Sequence, residues 1–373
     1  MRVAFALAAA EVAVPPTDPA LRFVGRYDIV DGHPRFDRNG FEVQFSVQAA
    51  TSATVQLAQR LTFAINGTRT QSQPDEFLVL VDGNPMPSPQ CAHCTFSTAG
   101  CGNNTVANYT LVAGLDPSQS HDIRVIKITE PEWNDENPTP NWITLHGLTL
   151  DAGSVQQPQA KARTRRVEFI GDSITAGYCN LCEGGQLGDS PAQQSFFKSW
   201  PSLICEELQA ECSTIAWSGM GLIHNCCGGF VNMPAVWPRT VATDEASQWD
   251  FSWVPDAVVI NLGTNDGAYA QHPDYTAAYL SLVRDINKAY GGQATFFLAC
   301  GPMSEAYCPQ VDTVLSTIQS EGIRGEFLDQ RGFLNGTFGP ACCGHPSAQV
   351  DVAIAASGAA ALARGLGWDS VLV

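Results

Sequence analysis

Residues Val167 to Ala176 read VEFIGDSITA. An apolar run (Val167, Phe169, Ile170) meets Gly171, Asp172 and Ser173, then gives way to a segment able to start a helix. That is the pattern of a buried strand ending in a tight turn that presents a serine at the carboxyl edge of a sheet. Open α/β sheets hold their ligands at that edge. A serine there acts as a nucleophile only if a base and an oxyanion site are supplied elsewhere. Strand–Gly–Asp–Ser turns also simply cap helices, so the rest of the chain must decide.

The sequence around this turn alternates between two structural grammars. After it, apolar strand-like runs recur at Val167–Ile170, Thr214–Trp217, Ala257–Leu262, Thr295–Ala299 and Glu326–Leu328. Helical stretches fall between them around Ser199–Ala210, Tyr275–Ala289, Val311–Ser320 and Ser347–Arg364. Such β-then-α alternation predicts a mostly parallel sheet covered on both faces. Before the turn the period is two: Phe41, Val43, Phe45 and Val47 alternate with Glu42, Gln44 and Ser46. Further short strands are expected at Thr54–Leu57, Phe77–Val81, Tyr109–Val112, Ile123–Thr129 and Trp142–Leu150, which together point to a β-sandwich. The expected organisation is therefore a leader or frayed start over 1–20, a β-domain over 21–151, a polar linker over 152–164 and an α/β domain over 165–373.

Composition narrows the partners. The chain has 373 residues, 45% hydrophobic and 15% charged, with 37 acidic against 20 basic side chains and a net charge of −17. That balance repels phosphate backbones and anionic headgroups, and no basic patch with interleaved aromatics offsets it, so nucleic acid is a poor partner and a neutral substrate a good one. No run approaches the length of a membrane-spanning helix. The first residues, MRVAFALAAAEVAV, hold one arginine and a short apolar stretch broken by Glu11, which fits either the remnant of a secretory signal or a frayed start. The thirteen cysteines favour an oxidising compartment and disulfides. Zinc at Cys91-x-x-Cys94 would need a second ligand pair, and none is evident. Being odd in number, the cysteines leave at least one thiol free or paired between chains. Acceptor triplets at Asn66, Asn103, Asn108 and Asn335 fit a secreted glycoprotein.

The chemistry gathers at the predicted strand ends. After the second run comes Ser218-Gly219-Met220-Gly221, where glycine lets a backbone N–H approach a ligand closely. After the third comes Gly263-Thr264-Asn265-Asp266, which offers an amide donor. Gly344-His345-Pro346 precedes the last helix. A serine, a backbone N–H, an asparagine amide and a late histidine are the parts that acyl transfer needs. Each also has a plainer reading. Asn265 fits an Asx turn, Asp172 and Asp266 fit turn stabilisers better than acids, and Gly221 is a weaker alternative to Gly219. Trp217 and Trp237 suit either a sugar cleft or, as the better expectation, core packing. His224 and His272 have no motif behind them.

These four ordered blocks resemble the SGNH (GDSL-type) hydrolase superfamily over the whole second half. The resemblance implies Ser173 as nucleophile, His345 as general base, and the Ser173 N–H, the Gly219 N–H and the Asn265 side chain as oxyanion donors, with Asp172, Asp266 and Trp217 in support. It also implies a flavodoxin-like three-layer α/β/α domain. Adding Val125-Ile126-Lys127-Ile128-Thr129-Glu130, Ile215-Ala216-Trp217-Ser218-Gly219, Asn261-Leu262-Gly263-Thr264-Asn265-Asp266 and Gly301-Pro302-Met303, the chain is similar from about Phe23 onward to carbohydrate esterase family 2. Its members join a jelly-roll-like β-domain to an SGNH domain. That similarity implies removal of O-acetyl groups from polysaccharide or oligosaccharide outside the cell, with no cofactor and no metal. One departure stands out: the position three before the histidine, usually Asp, is Cys342, and no carboxylate lies between Asp329 and His345. Either the site is a dyad whose imidazole leans on a backbone carbonyl, or a distant acid substitutes. A disulfide at Cys342 or Cys343 is expected to pin the histidine loop. A GDSL-type lipase, phospholipase or thioesterase is the alternative within the fold, and a catalytically weak carbohydrate-binding or wall protein the alternative outside it. The β-domain shows no binding motif and is expected to brace its neighbour. Oligomeric state is left open.

Overall fold

The computed structural model describes residues 11–60, 74–88, 91, 93–131, 141–182, 190–227, 231–268, 272–336 and 339–368. The second half is a five-stranded parallel sheet in the order Ala210–Ala216, Arg165–Gly171, Ala257–Asn261, Thr295–Cys300, Gly325–Asp329. Numbered along the chain that order is 2-1-3-4-5, the flavodoxin-like arrangement, whose switch point lies between the first and third strands. Alternate strand residues face opposite layers. Ile170, Ile215, Val258, Ile260, Phe296 and Leu298 pack in one core with the helices Tyr275–Ala289 and Cys308–Ser320. Val167, Phe169, Val259, Phe297 and Ala299 pack in the other with Trp200–Glu207 and Ala348–Leu366. Burial on both faces explains why these strands read as unbroken apolar runs.

The first half is a sandwich of two antiparallel sheets. One runs Ala107–Ala113, Ser52–Arg60, Trp142–Leu150, His33–Phe36, Asp28–Val30; the other runs Ser154–Gln156, Glu42–Gln48, Ser120–Lys127, Glu76–Val81, Asn84–Pro85. Phe45, Val55, Leu57, Phe77, Val79 and Leu145 fill the space between them. Two expected boundaries change. Val12–Val14 pairs with Leu148–Leu150, so the expected leader, over 11–20, is instead a strand of the sandwich and the turn after it; residues 1–10 lie outside the described residues. Within the expected linker, Ser154–Gln156 pairs with Ser46–Gln48. Both strands are three residues long, too short to show a period.

The halves are bound by buried charge. Arg26 of the sandwich reaches Glu168, in the middle of the first parallel strand, at 3.0 Å, with both side chains fully buried. Glu168 also accepts from Trp237 Nε1 (3.0 Å) and the Tyr290 hydroxyl (2.7 Å). Removing one partner of such a pair costs about 3–5 kcal/mol, because the other charge stays buried. Asp37 accepts from the Ala242 and Thr243 amides, and Arg38 donates to the carbonyls of Val236 and Arg239. The sandwich is joined to its neighbour through residues with no local sequence signal. No helix among the described residues is long and apolar enough to cross a membrane.

Candidate active site

The first parallel strand ends at Gly171, level with Ala216 and Asn261 on its two neighbours. A side chain at Gly171 would run into Thr175 Oγ1 at 2.1 Å, so the tight exit requires glycine. Asp172 then caps a single helical turn, Ser173–Ala176, accepting the Ile174 N–H at 3.0 Å. Ser173, 5% exposed, sits at the first position of this turn, and its N–H has no hydrogen-bond partner among the described residues. Its Oγ lies 2.7 Å from His345 Nε2.

His345 stands on a loop closed on itself. Its amide donates to the Cys342 carbonyl (3.1 Å), its carbonyl accepts from the Ala341 amide (2.7 Å), and Pro340 bridges to Pro346. A Cys182–Cys342 disulfide ties the loop to the chain that follows the serine turn, as expected for one of the paired cysteines. The Tyr178 ring packs edge-on against the imidazole, 5.1 Å between centroids. No carboxylate lies within ion-pair distance of His345 among the described residues. Nδ1 is buried with no acceptor in full hydrogen-bond geometry; the backbone of Cys342 and Cys343 acts on the ring more weakly, favouring its charged form. Burial outweighs this and pulls the pKa down to about 4, leaving the imidazole neutral near pH 7.

The other blocks converge at the same edge. Met220 N–H donates to the Trp217 carbonyl at 3.2 Å and Gly219 has φ +75°, so Trp217–Met220 is a type II turn with glycine where the left-handed backbone is required. The Gly219 N–H has no partner among the described residues, whereas the Gly221 N–H is taken by Asn225 Oδ1 at 3.0 Å. Asn265 Nδ2 donates to Asp172 Oδ2 (3.0 Å) and to the Met220 carbonyl (2.7 Å). Both of its hydrogens are therefore engaged, and a ligand oxygen would compete with Met220. Asp172 does more than cap: burial first, then the charges of Asp266 and Glu130, push its pKa up to about 7. Asp266 holds the loop beyond Gly219, accepting the amides of Leu222, Ile223 and His224 at 2.8, 2.6 and 3.0 Å.

Trp217 and Trp237 are core residues, 6% and 5% exposed, and neither presents an open ring face for a sugar. His224 and His272 pack edge-on against one another, centroids 4.9 Å apart. Cys91 and Cys94 are bonded to each other beside Glu76, which removes both thiolates as metal ligands. Asn103, Asn108 and Asn335 are exposed; Asn66 lies outside the described residues. Tyr178 carried no sequence signal for such a place, and Glu130, which reaches the Gly219 turn from the sandwich, ended a block of the family similarity with no role assigned to it.

A hydroxyl hydrogen-bonded to a neutral imidazole, with two N–H groups on adjacent loops that have no partner among the described residues, is equipped for attack on a carbonyl. Comparison with known proteins agrees. Residues 169–349 match the GDSL-like lipase/acylhydrolase family. The chain is 31% identical over 293 residues to the cellulase/esterase CelE of Acetivibrio thermocellus, covering 77% of this chain and 31% of that protein, so it spans about a third of that relative's length. It is 27% identical over 270 residues to an acetylxylan esterase / glucomannan deacetylase of Cellvibrio japonicus, covering 65% of this chain and 69% of that one. Among solved structures, a family two carbohydrate esterase from Clostridium thermocellum in complex with cellohexaose superposes with a TM-score of 0.79 at 27% identity, over 94% of this chain and all of the other. With its serine–histidine edge over the matched residues 169–349 and its sandwich-plus-sheet build, the chain resembles the GDSL-like (SGNH) hydrolases and shares the two-domain fold of the family two carbohydrate esterases.

Proposed function

We propose that the chain is an extracellular carbohydrate O-acetylesterase that works through an acetyl-serine. The observation that carries this reading is the 2.7 Å contact between Ser173 Oγ and His345 Nε2 at the switch point of the sheet. Ser173 Oγ attacks the acetyl carbonyl while Nε2 takes its proton. The N–H groups of Ser173 and Gly219 receive the oxyanion, joined by Asn265 as substrate oxygen displaces the Met220 carbonyl. His345 returns the proton to the departing sugar hydroxyl, and water, deprotonated by the same imidazole, releases acetate and restores the serine. With no carboxylate on Nδ1 among the described residues, the backbone of Cys342 and Cys343, acting more weakly than a full hydrogen bond, is left to favour the productive tautomer. That differs from the serine-protease template, where Asp→Asn costs about 10⁴ in kcat largely through the wrong tautomer. Five disulfides among the described residues support secretion.

The test is acetate release from acetylated xylan and glucomannan by the wild type and by Ser173→Ala. Release by the wild type alone is expected, and equal release by both ends the enzymatic reading. A p-nitrophenyl ester series checks the acyl group: rates should fall steeply beyond acetate or propionate, whereas a caprylate optimum would assign a GDSL lipase instead.

A further inference from the structure

Glu130 belongs to the sandwich yet reaches into the edge of the parallel sheet. Its carboxylate accepts the Ser218 N–H at 2.6 Å on one oxygen and the Ser218 hydroxyl at 2.7 Å on the other. The base of this clamp is rigid. Lys127, 1% exposed, donates to the carbonyls of Thr129 (2.9 Å) and Glu130 (3.1 Å) and is ion-paired with Asp75 at 2.5 Å.

Ser218 is the second residue of the type II turn, so the peptide that follows it carries the Gly219 N–H, which has no partner among the described residues. Types I and II differ by rotation of that central peptide, which reverses the direction of its N–H. Glycine at the third position permits the type II state, and the clamp on Ser218 holds one end of the peptide in place. The Cys226 amide, donating to the Gly219 carbonyl at 3.0 Å, holds the other.

We infer that Glu130 is a positioning residue for the oxyanion site: by gripping Ser218 with both oxygens it fixes the direction of the Gly219 N–H, so the sandwich supplies a working part of the neighbouring domain's chemistry. The inference rests on the esterase reading proposed above. Removing an oxyanion donor outright costs about 10²–10³ in kcat, and leaving one misaimed costs part of that.

The experiment compares Glu130→Ala, Glu130→Gln and Ser218→Ala in the full chain, with p-nitrophenyl acetate turnover and with inhibition by a boronic acid, whose tetrahedral serine adduct places an anionic oxygen in the same site. Glu130→Ala should lower kcat about 30-fold with KM within about twofold, and boronate affinity should fall in step with kcat/KM. Glu130→Gln should recover most of the loss, since its amide oxygen accepts the Ser218 N–H and its amide N–H donates to the Ser218 oxygen. Ser218→Ala removes only the hydroxyl half of the grip; it should cost about fivefold and serves if Glu130→Ala does not fold. The inference is overturned by a Glu130→Ala enzyme with unchanged kcat, by boronate affinity that does not follow kcat/KM, or by Glu130→Gln as impaired as Glu130→Ala. An active Ser173→Ala would sink the esterase reading itself; an inactive Ser173→Ala beside a normal Glu130→Ala would sink this inference alone.

Discussion

Ser173 and His345 meet at one hydrogen bond, yet their supports differ in kind. The serine turn grows out of a strand buried on both faces, and its neighbour Asp172 is engaged on two sides, by Ile174 and Asn265. The histidine loop grows out of no strand. It closes through Pro340–Pro346, its own backbone hydrogen bonds and the Cys182–Cys342 disulfide. The histidine loop carries no carboxylate, and beside the serine Asp172 orients the asparagine. Within one site, a polar network holds the nucleophile side and covalent and steric constraint holds the base side.

The largest effect breaks the pair itself. His345→Ala should reduce kcat by about 10⁴–10⁶, and the double variant with Ser173→Ala should be no worse than either alone, because the two act as a unit. Steady-state kinetics on an acetyl ester reads both; additive losses would mean the contact is not functional. The next variant attacks the serine side. Asp172→Ala frees Asn265 and uncaps the turn, and should cost about 10² in kcat, whereas Asp172→Asn, which keeps an acceptor, should cost about tenfold. Equal losses would point to the charge of Asp172 rather than its geometry.

On the histidine side, Cys182→Ser with Cys342→Ser should cost about tenfold in kcat, as near-attack geometry loosens. The disulfide closes a loop of 160 residues, for which chain entropy sets an upper stabilisation of about 5 kcal/mol. Denaturant unfolding measures this, and unchanged turnover would show that the loop orients His345 without its bond.

The smallest effect is pH-dependent stability. Burial pushes Asp172, Glu130 and Glu76 up to about 7, so through the range below that value the folded chain holds protons that the unfolded chain has released. Stability from these three groups is lost as pH rises through 7 and gained as it falls toward about 5. His345, pulled down to about 4, opposes them below its unfolded value near 6.5, but with one proton against three. The melting temperature should therefore be higher near pH 5.5 than near pH 8, and Glu130→Gln should flatten the difference. A steeper slope in that variant would reverse the sign assigned to Glu130.

What the chain declares locally is what repeats or turns locally. Strand Trp142–Leu150 and helix Tyr275–Ala289 are visible at their exact bounds, because a period of two or 3.6 over many residues is a strong signal. The Gly171-Asp172-Ser173 exit and the Gly219 turn are visible because only certain residues permit those backbones. The sequence by itself thus determined the two halves, the order of the sheet's elements and the four blocks at its edge. Strands Val12–Val14 and Ser154–Gln156 escaped it, being too short for a period and defined only by the partner they pair with. Tertiary structure alone decided that Arg26 neutralises Glu168, that Asp172 serves Asn265, that Cys182 ties down the histidine loop, and that Glu130 reaches Ser218. Each of these joins residues far apart in the chain through charge, packing or a covalent bond, and the strength of such a contact depends on burial and distance, which no local pattern of residues encodes.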